Sequence, residues 1–257
     1  MKRLIVIASG KGGVGKTTTA INLGAAIKKF DKDVLIIDAN MSTPNVGIHL
    51  NSPEVPINLN HIIQKKAHPY EAVYVHPSGI KVIPSSLSVK ELKKLKMEKL
   101  KDFKNEFKKL AEYVIMDCSA GLGKEAVSVM EIADEIILVS NPEMPAITDA
   151  LKTVKVAEEM NIPITGVIIT RVRKNNYELS PETVKEMLEV PILGMIPEDS
   201  LVQDALRRKN PLVYVHPKSK SARAYKEIAA RIVEVDYDSD VDKPTFWEKV
   251  FGVFSRN

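Results

Sequence analysis

The chain reads as an α/β protein: one doubly wound, mostly parallel sheet with helices on both faces. Three observations predict it. Short, wholly apolar runs recur at residues 4–8, 34–37, 82–84, 113–116, 136–139, 167–169 and 192–194, as strands buried on both faces require. Segments with helical spacing lie between them, such as Ala20, Leu23, Gly24 and Ile27, which share a face at 3.6 residues per turn. The first apolar run passes directly into a glycine-rich turn and then into that helix.

The turn is Gly10-Lys11-Gly12-Gly13-Val14-Gly15-Lys16-Thr17, followed by Thr18. Its glycines let consecutive backbone N–H groups point inward around oxygens without a Cβ in the way. A helix starting near Lys16 aims its positive end at the same spot. Lys16 would reach the β- and γ-phosphates of a nucleotide, and the Thr17 hydroxyl would ligate Mg²⁺. From charge alone, Lys11 is either a solvated loop cation or one that reaches phosphate on a facing subunit.

The second apolar run ends at Asp38 and the fourth at Asp117. Open α/β sheets bind ligands at the carboxyl ends of their strands, so both aspartates fall beside the phosphate loop. A lone strand-end Asp is usually a turn former; a pair in a P-loop protein suits a Mg²⁺–water shell. Residues 40–80 are irregular and read as long loops plus a short helix at that same edge. Residues 90–109 hold much of the basic excess together with Glu91, Glu98, Asp102 and Glu106, and read as one helix with a solvated face. Further helices are expected over 148–160, where Leu151, Val154 and Ala157 align, and over 222–235.

At 257 residues, 44% apolar and 27% charged, the chain can bury a full core. One cysteine, Cys118, excludes a disulfide framework or a cysteine-built metal site and points to a reducing compartment. Lys2-Arg3 before an apolar run mimics a signal peptide, but the run is too short and ends in the glycine loop. No stretch approaches the roughly 20 apolar residues of a spanning helix. A cytosolic or peripherally bound protein is expected. The net charge of +4 permits nucleic acid or anionic membrane as partner and demands neither.

Three segments complete the organisation: a globular domain over 1–235, an acidic linker over 236–244, and an amphipathic helix over 245–257. Thr245 and Glu248 have capping-box spacing. Phe246, Trp247, Val250, Phe251, Val253 and Phe254 then share one arc, with Glu248, Lys249, Gly252, Ser255 and Arg256 opposite. Such a helix either docks on the domain or lies in a membrane interface. A twelve-residue helix is marginal alone in water, so its folding would be coupled to the surface it meets.

The segment from Lys11 to Thr18 resembles the deviant Walker A motif of the MinD/ParA family of P-loop ATPases, and the likeness extends from residue 3 to about 232. It implies that Lys11 crosses an ATP-sandwiched dimer interface. Asp38-Ala39-Asn40-Met41-Ser42-Thr43-Pro44-Asn45 resembles the family's first switch, and Asp117-Cys118-Ser119-Ala120-Gly121 its second, where proline more often stands at Ser119. The resemblance makes Lys11, Lys16, Asp38, Asn40 and Asp117 the catalytic set and Thr17, Asp38 and Asp117 the metal set. Asn40 stands where a water-positioning aspartate is usual. An amide hydrogen-bonds water but cannot take its proton, so slowed hydrolysis is expected, whether Asn40 is natural or engineered.

Asn141-Pro142-Glu143, Thr170-Arg171 and Ile196-Pro197-Glu198-Asp199 also resemble family segments. They imply an adenine pocket around Arg171 and Pro197, flanked by Glu198 and Asp199. The MinD-type branch, in a prokaryotic, archaeal-type form, fits best. It implies an ATP- and Mg²⁺-dependent homodimer, membrane contact through the aromatic tail, spatial positioning of the division site or a related cargo, and a protein partner. The expected location is the cytoplasm, at the inner face of the cell membrane. The alternative is a ParA-type ATPase binding DNA non-specifically. The family's iron–sulfur carriers normally need a cysteine pair, which this chain lacks.

Overall fold

The computed structural model describes residues 2–52, 55–88, 91, 95–173 and 175–238. Its strands are β1 Arg3–Ala8, β2 Val34–Ala39, β3 Tyr74–Val75, β4 Lys81–Ile83, β5 Tyr113–Cys118, β6 Glu135–Ser140, β7 Ile164–Val172 and β8 Ile192–Pro197. They form one sheet in the order β3-β4-β2-β5-β1-β6-β7-β8. Only β3, at the edge, is antiparallel. The chain moves outward one way from β1 to β2 and the other way from β1 to β6, which opens a crevice at the carboxyl ends of the central strands.

Alternation along the strands explains why the runs are apolar throughout. Leu4, Val6 and Ala8 of β1 join the core on one face, and Ile5 and Ile7 join the core on the other. The same parity sorts β5: Val114, Met116 and Cys118 face one way, Tyr113 and Ile115 the other. Side chains alternate with a period of two, so Asp117 shares the face of Ile115, and Asp38 shares that of Val34 and Ile36. That face is covered by α1 (Lys16–Lys29), whose Ala20, Leu23 and Ile27 pack there. The two aspartates therefore lie on the side of the sheet where the phosphate loop feeds its helix.

Helix boundaries differ from the expected ones for local reasons. The helix expected over 148–160 runs from Met144 to Glu159, because Pro145 is tolerated in a first turn. The last described helix spans Lys220–Val233: Ser219 caps it by accepting from the Ala222 amide, and Glu234 ends it at φ 57°. Of the single helix expected over 90–109, residues 90 and 92–94 lie outside the described residues, and the described part is not one continuous helix. A 3₁₀ turn over Met97–Phe103 meets a separate α-helix over Lys104–Leu110. Nor are all its lysines solvated: Lys104 and Lys108 ion-pair with the two oxygens of Asp134 at 2.9 and 2.6 Å. Residues 40–80 hold short helices over Val46–His49 and Leu59–Ile63 and a 3₁₀ turn over Pro69–Ala72. The two residues of β3 are too few to leave a periodic signal.

The beginning of the expected linker is not free-standing. Tyr237 packs edge-on against Phe30, just beyond α1, with ring centroids 5.6 Å apart, and the Lys226 ammonium lies 5.7 Å from the Tyr237 ring. The aromatic residues from Phe246 to Phe254 lie outside the described residues. Among the described residues no helix is long and apolar enough to cross a membrane.

Arg3 ties two strands of the sheet to the last described helix. It donates to both oxygens of Glu135, at 2.5 and 2.7 Å, and to the Ile232 carbonyl at 2.7 Å. Thr165 donates to the same carboxylate. Removing one partner of a largely buried ion pair leaves an uncompensated charge, so Glu135→Ala should cost about 3 kcal/mol. Urea unfolding tests this: the midpoint should fall while the m-value stays unchanged.

Candidate functional site

The phosphate loop is held in a geometry that only its glycines permit. A Cβ on Gly10 would stand 2.1 Å from the backbone oxygen of Asp149, so the loop enters pressed against the helix Met144–Glu159. Gly15, at φ 95°, is the N-cap of α1. Val14 between them is buried in the core, and its carbonyl accepts from the Thr170 hydroxyl at 2.5 Å. Ser9 Oγ donates to the Lys11 carbonyl at 2.8 Å, and the Gly121 amide donates to the Ser9 carbonyl at 2.9 Å. The loop is thus tied to the ends of β1, β5 and β7 by named bonds.

Its two lysines occupy different environments. Lys16 is buried, and burial lowers its pKa against the pull of Asp117. Lys11 stands exposed on the rim, next to the exposed Gly12 and Gly13.

Asp38 and Asp117 are register neighbours on β2 and β5, and both are wholly buried. Burial pushes the Asp117 carboxyl up to about 6, while the Thr17 hydrogen bond and the Lys16 charge pull it back. Burial and the nearby Asp117 charge raise Asp38 well above the usual carboxylate range, against amide bonds from Val46, Asn40 and Asn45.

These residues fit a divalent cation. Thr17 Oγ1 donates to Asp117 Oδ2 at 2.6 Å, and Asp117 Oδ1 is buried without a hydrogen-bond partner. A hard cation or its water shell would use that orphaned oxygen and relieve the repulsion between the two carboxylates. Thr17 and Asp117 are therefore the residues that would hold Mg²⁺. Asp38 also orders backbone, since its Oδ2 accepts from the amides of Asn45 and Val46, both at 2.9 Å. It therefore shapes the loop behind it.

Asn40 is buried, and its amide oxygen accepts from the Thr43 amide and hydroxyl at 3.3 and 3.1 Å. It closes an Asx-type turn within its own loop.

The residues expected around an adenine base lie farther along the same edge, at the ends of β7 and β8. Arg171 is exposed at φ 55°. The Pro197 carbonyl accepts from the Ser221 hydroxyl at 2.8 Å. Glu198 pairs with Arg173 at 2.5 Å, and Asp199 accepts from the Leu201 amide at 3.0 Å, so both carboxylates already have partners.

Thr170, which the Thr170-Arg171 segment offers beside the base, bonds the phosphate loop instead, and Glu125 leaves no mark in the motif spacing. Glu125 sits in an unremarkable helical heptapeptide, and only the fold brings it against the Asn40 loop.

The raised Asp117 pKa has a testable sign. Its folded value, about 6, exceeds its reference value of 3.8, so its contribution favours the fold at low pH and is lost as pH rises across that interval. A bound cation reverses this by demanding the ionised form. Mg²⁺–ADP binding near pH 5.5 should release protons, and the share from Asp117 should diminish as pH rises past about 6. Calorimetry in buffers of different ionisation enthalpy measures it.

Comparison with known proteins agrees with this geometry. The family model described as ParA, an NUBPL iron-transfer P-loop NTPase, matches residues 1–233. An uncharacterised ATP-binding protein of Methanocaldococcus jannaschii is 38% identical over 255 residues, covering 98% of this chain and 97% of the relative. The septum site-determining protein MinD of Synechocystis is 29% identical over 250 residues, 90% of each chain. Among solved structures, the septum site-determining protein MinD from Pyrococcus horikoshii, complexed with Mg-ADP, superposes with a TM-score of 0.86 at 30% identity. That match covers 95% of this chain and all of that one. The chain belongs to the ParA/MinD family of P-loop NTPases, which are ATPases.

Proposed function

We propose that this chain is a MinD-type ATPase that dimerises around ATP–Mg²⁺, binds membrane reversibly through residues 245–257 and positions other components in the cell. The observation that carries the reading is the division of labour between the loop lysines. Lys16 is buried against Asp117 and serves the phosphates of its own nucleotide. Lys11 is exposed on the rim of the same loop, where a facing subunit's phosphate is within its chemistry. The Mg-ADP bound to the Pyrococcus relative supports the nucleotide and metal assignment, and the septum-site names of several relatives support a positioning role.

In this reading Lys16 and Lys11 offset developing phosphate charge, Thr17 and Asp117 hold Mg²⁺, and Asp38 orders the loop that covers them. Magnesium, when bound, supplies charge neutralisation across the transferred phosphoryl group. Arg171 and Pro197, with Glu198 and Asp199 beside them, flank the base. Iron transfer through a cysteine-bound cluster does not suit the chain. Its single cysteine, Cys118, is buried, and burial pushes its thiol up to about 12. The protein acts from the cytoplasm at the inner face of the membrane, with a partner or cargo of its own.

Two measurements test the reading. Asn40→Asp restores a carboxylate able to accept a proton from water, and should raise single-turnover ATP hydrolysis about 10-fold or more; an unchanged rate would remove Asn40 from the mechanism. Sedimentation with anionic liposomes should show pelleting with ATP–Mg²⁺ but not ADP, lost on truncation after Asp242. One tail binds weakly, and two on one dimer gain from effective concentration. No pelleting in any nucleotide would sink the membrane mechanism and bring salt-dependent binding to duplex DNA forward in its place.

A further inference from the structure

The loop after β2 is held from two sides. From within the sheet, Asp38 accepts from the amides of Asn40, Asn45 and Val46, at 3.3, 2.9 and 2.9 Å. From outside, a carboxylate on a different element holds the next two residues. Glu125 Oε1 accepts from the Met41 amide at 2.7 Å and the Ser42 amide at 3.3 Å, and its Oε2 accepts from the Ser42 hydroxyl at 2.6 Å. Glu125 belongs to the short helix Lys124–Met130, which follows the turn after Asp117.

Three consecutive residues, Asn40, Met41 and Ser42, thus take their positions from two carboxylates, one on β2 and one on the helix that follows β5. Met41 is buried, and its sulfur receives the Ser85 hydroxyl at 3.0 Å. Ser42 is exposed, so its two bonds to Glu125 contribute little to the core. What they do is fix the spacing between the loop that carries Asn40 and the segment that carries Asp117.

We infer that Glu125 is a positioning residue: its carboxylate clasps the Asn40 loop to the segment following Asp117, and so sets where Asn40 stands during hydrolysis. The inference rests on the ATPase reading above. The rate of a positioned reaction depends steeply on sub-ångström placement, more than nucleotide binding does. Asn40 can act only by orienting water, so its position matters more than that of a group able to take a proton.

A competing role is ordinary helix stabilisation, since an acid in the first turn also favours a helix. Glu125→Ala and the double variant Lys124→Glu/Glu125→Ala separate the two. The double variant returns an acid to the first turn without restoring the clasp. In both, single-turnover hydrolysis should fall about 10-fold or more while affinity for a fluorescent ATP analogue changes by less than about 3-fold. Hydrogen exchange at the Met41 and Ser42 amides should speed up about 10-fold in both. Glu125→Gln, whose amide oxygen still accepts from the Met41 amide, should recover part of the rate.

Parental rates and parental exchange in Glu125→Ala would overturn the clasp. So would recovery of both in the double variant, which would leave only a helix-end charge effect. If the parental chain binds ATP but does not hydrolyse it, the ATPase reading fails instead. The exchange measurement then decides the clasp alone: faster exchange supports it and unchanged exchange overturns it.

Discussion

Two wholly buried carboxylates facing each other across adjacent strands are the constraint around which this molecule is arranged. Asp38 and Asp117 lie in register on β2 and β5, in surroundings where like charges repel strongly and water does not screen them. Nearly everything close by offsets that repulsion in part. Lys16 places a buried ammonium near Asp117, Thr17 donates to one of its oxygens, and three backbone amides point at Asp38. The balance remains incomplete without a cation, since one oxygen of Asp117 has no partner. A site left short of positive charge is one that a metal–nucleotide complex completes.

The same constraint explains the order of the loops. The phosphate loop is locked to the ends of β1, β5 and β7, so its amides are in place before any ligand arrives. The loop after β2, by contrast, depends on carboxylates for its shape: Asp38 inside and Glu125 outside. Its geometry is tied to the charge state of the site in a way that the glycine loop's is not.

Much of this was legible in the sequence, because the determining signals are local. Wholly apolar runs report burial on both faces. Parity along those runs places Asp38 and Asp117 on the face covered by α1, and the glycine pattern permits the loop that Gly10 and Gly15 adopt. The less legible features depend on contacts distant in sequence. Glu125 reaches residues 83 and 84 positions away, and no spacing rule marks it. The basic stretch near residue 100 has helical composition, yet it divides into a 3₁₀ turn and a separate short helix, whose Lys104 and Lys108 meet the sequence-distant Asp134. Tyr237 falls in an acidic segment that reads as solvated, yet it meets Phe30 and Lys226.

That aromatic contact divides the molecule into two poles. Helix α1 begins at the phosphate loop and ends beside Phe30; its 14 residues, at about 1.5 Å each, span about 21 Å. Tyr237 sits at the far end of that span, so the last described residues are anchored at the pole opposite the crevice and not beside the phosphate loop.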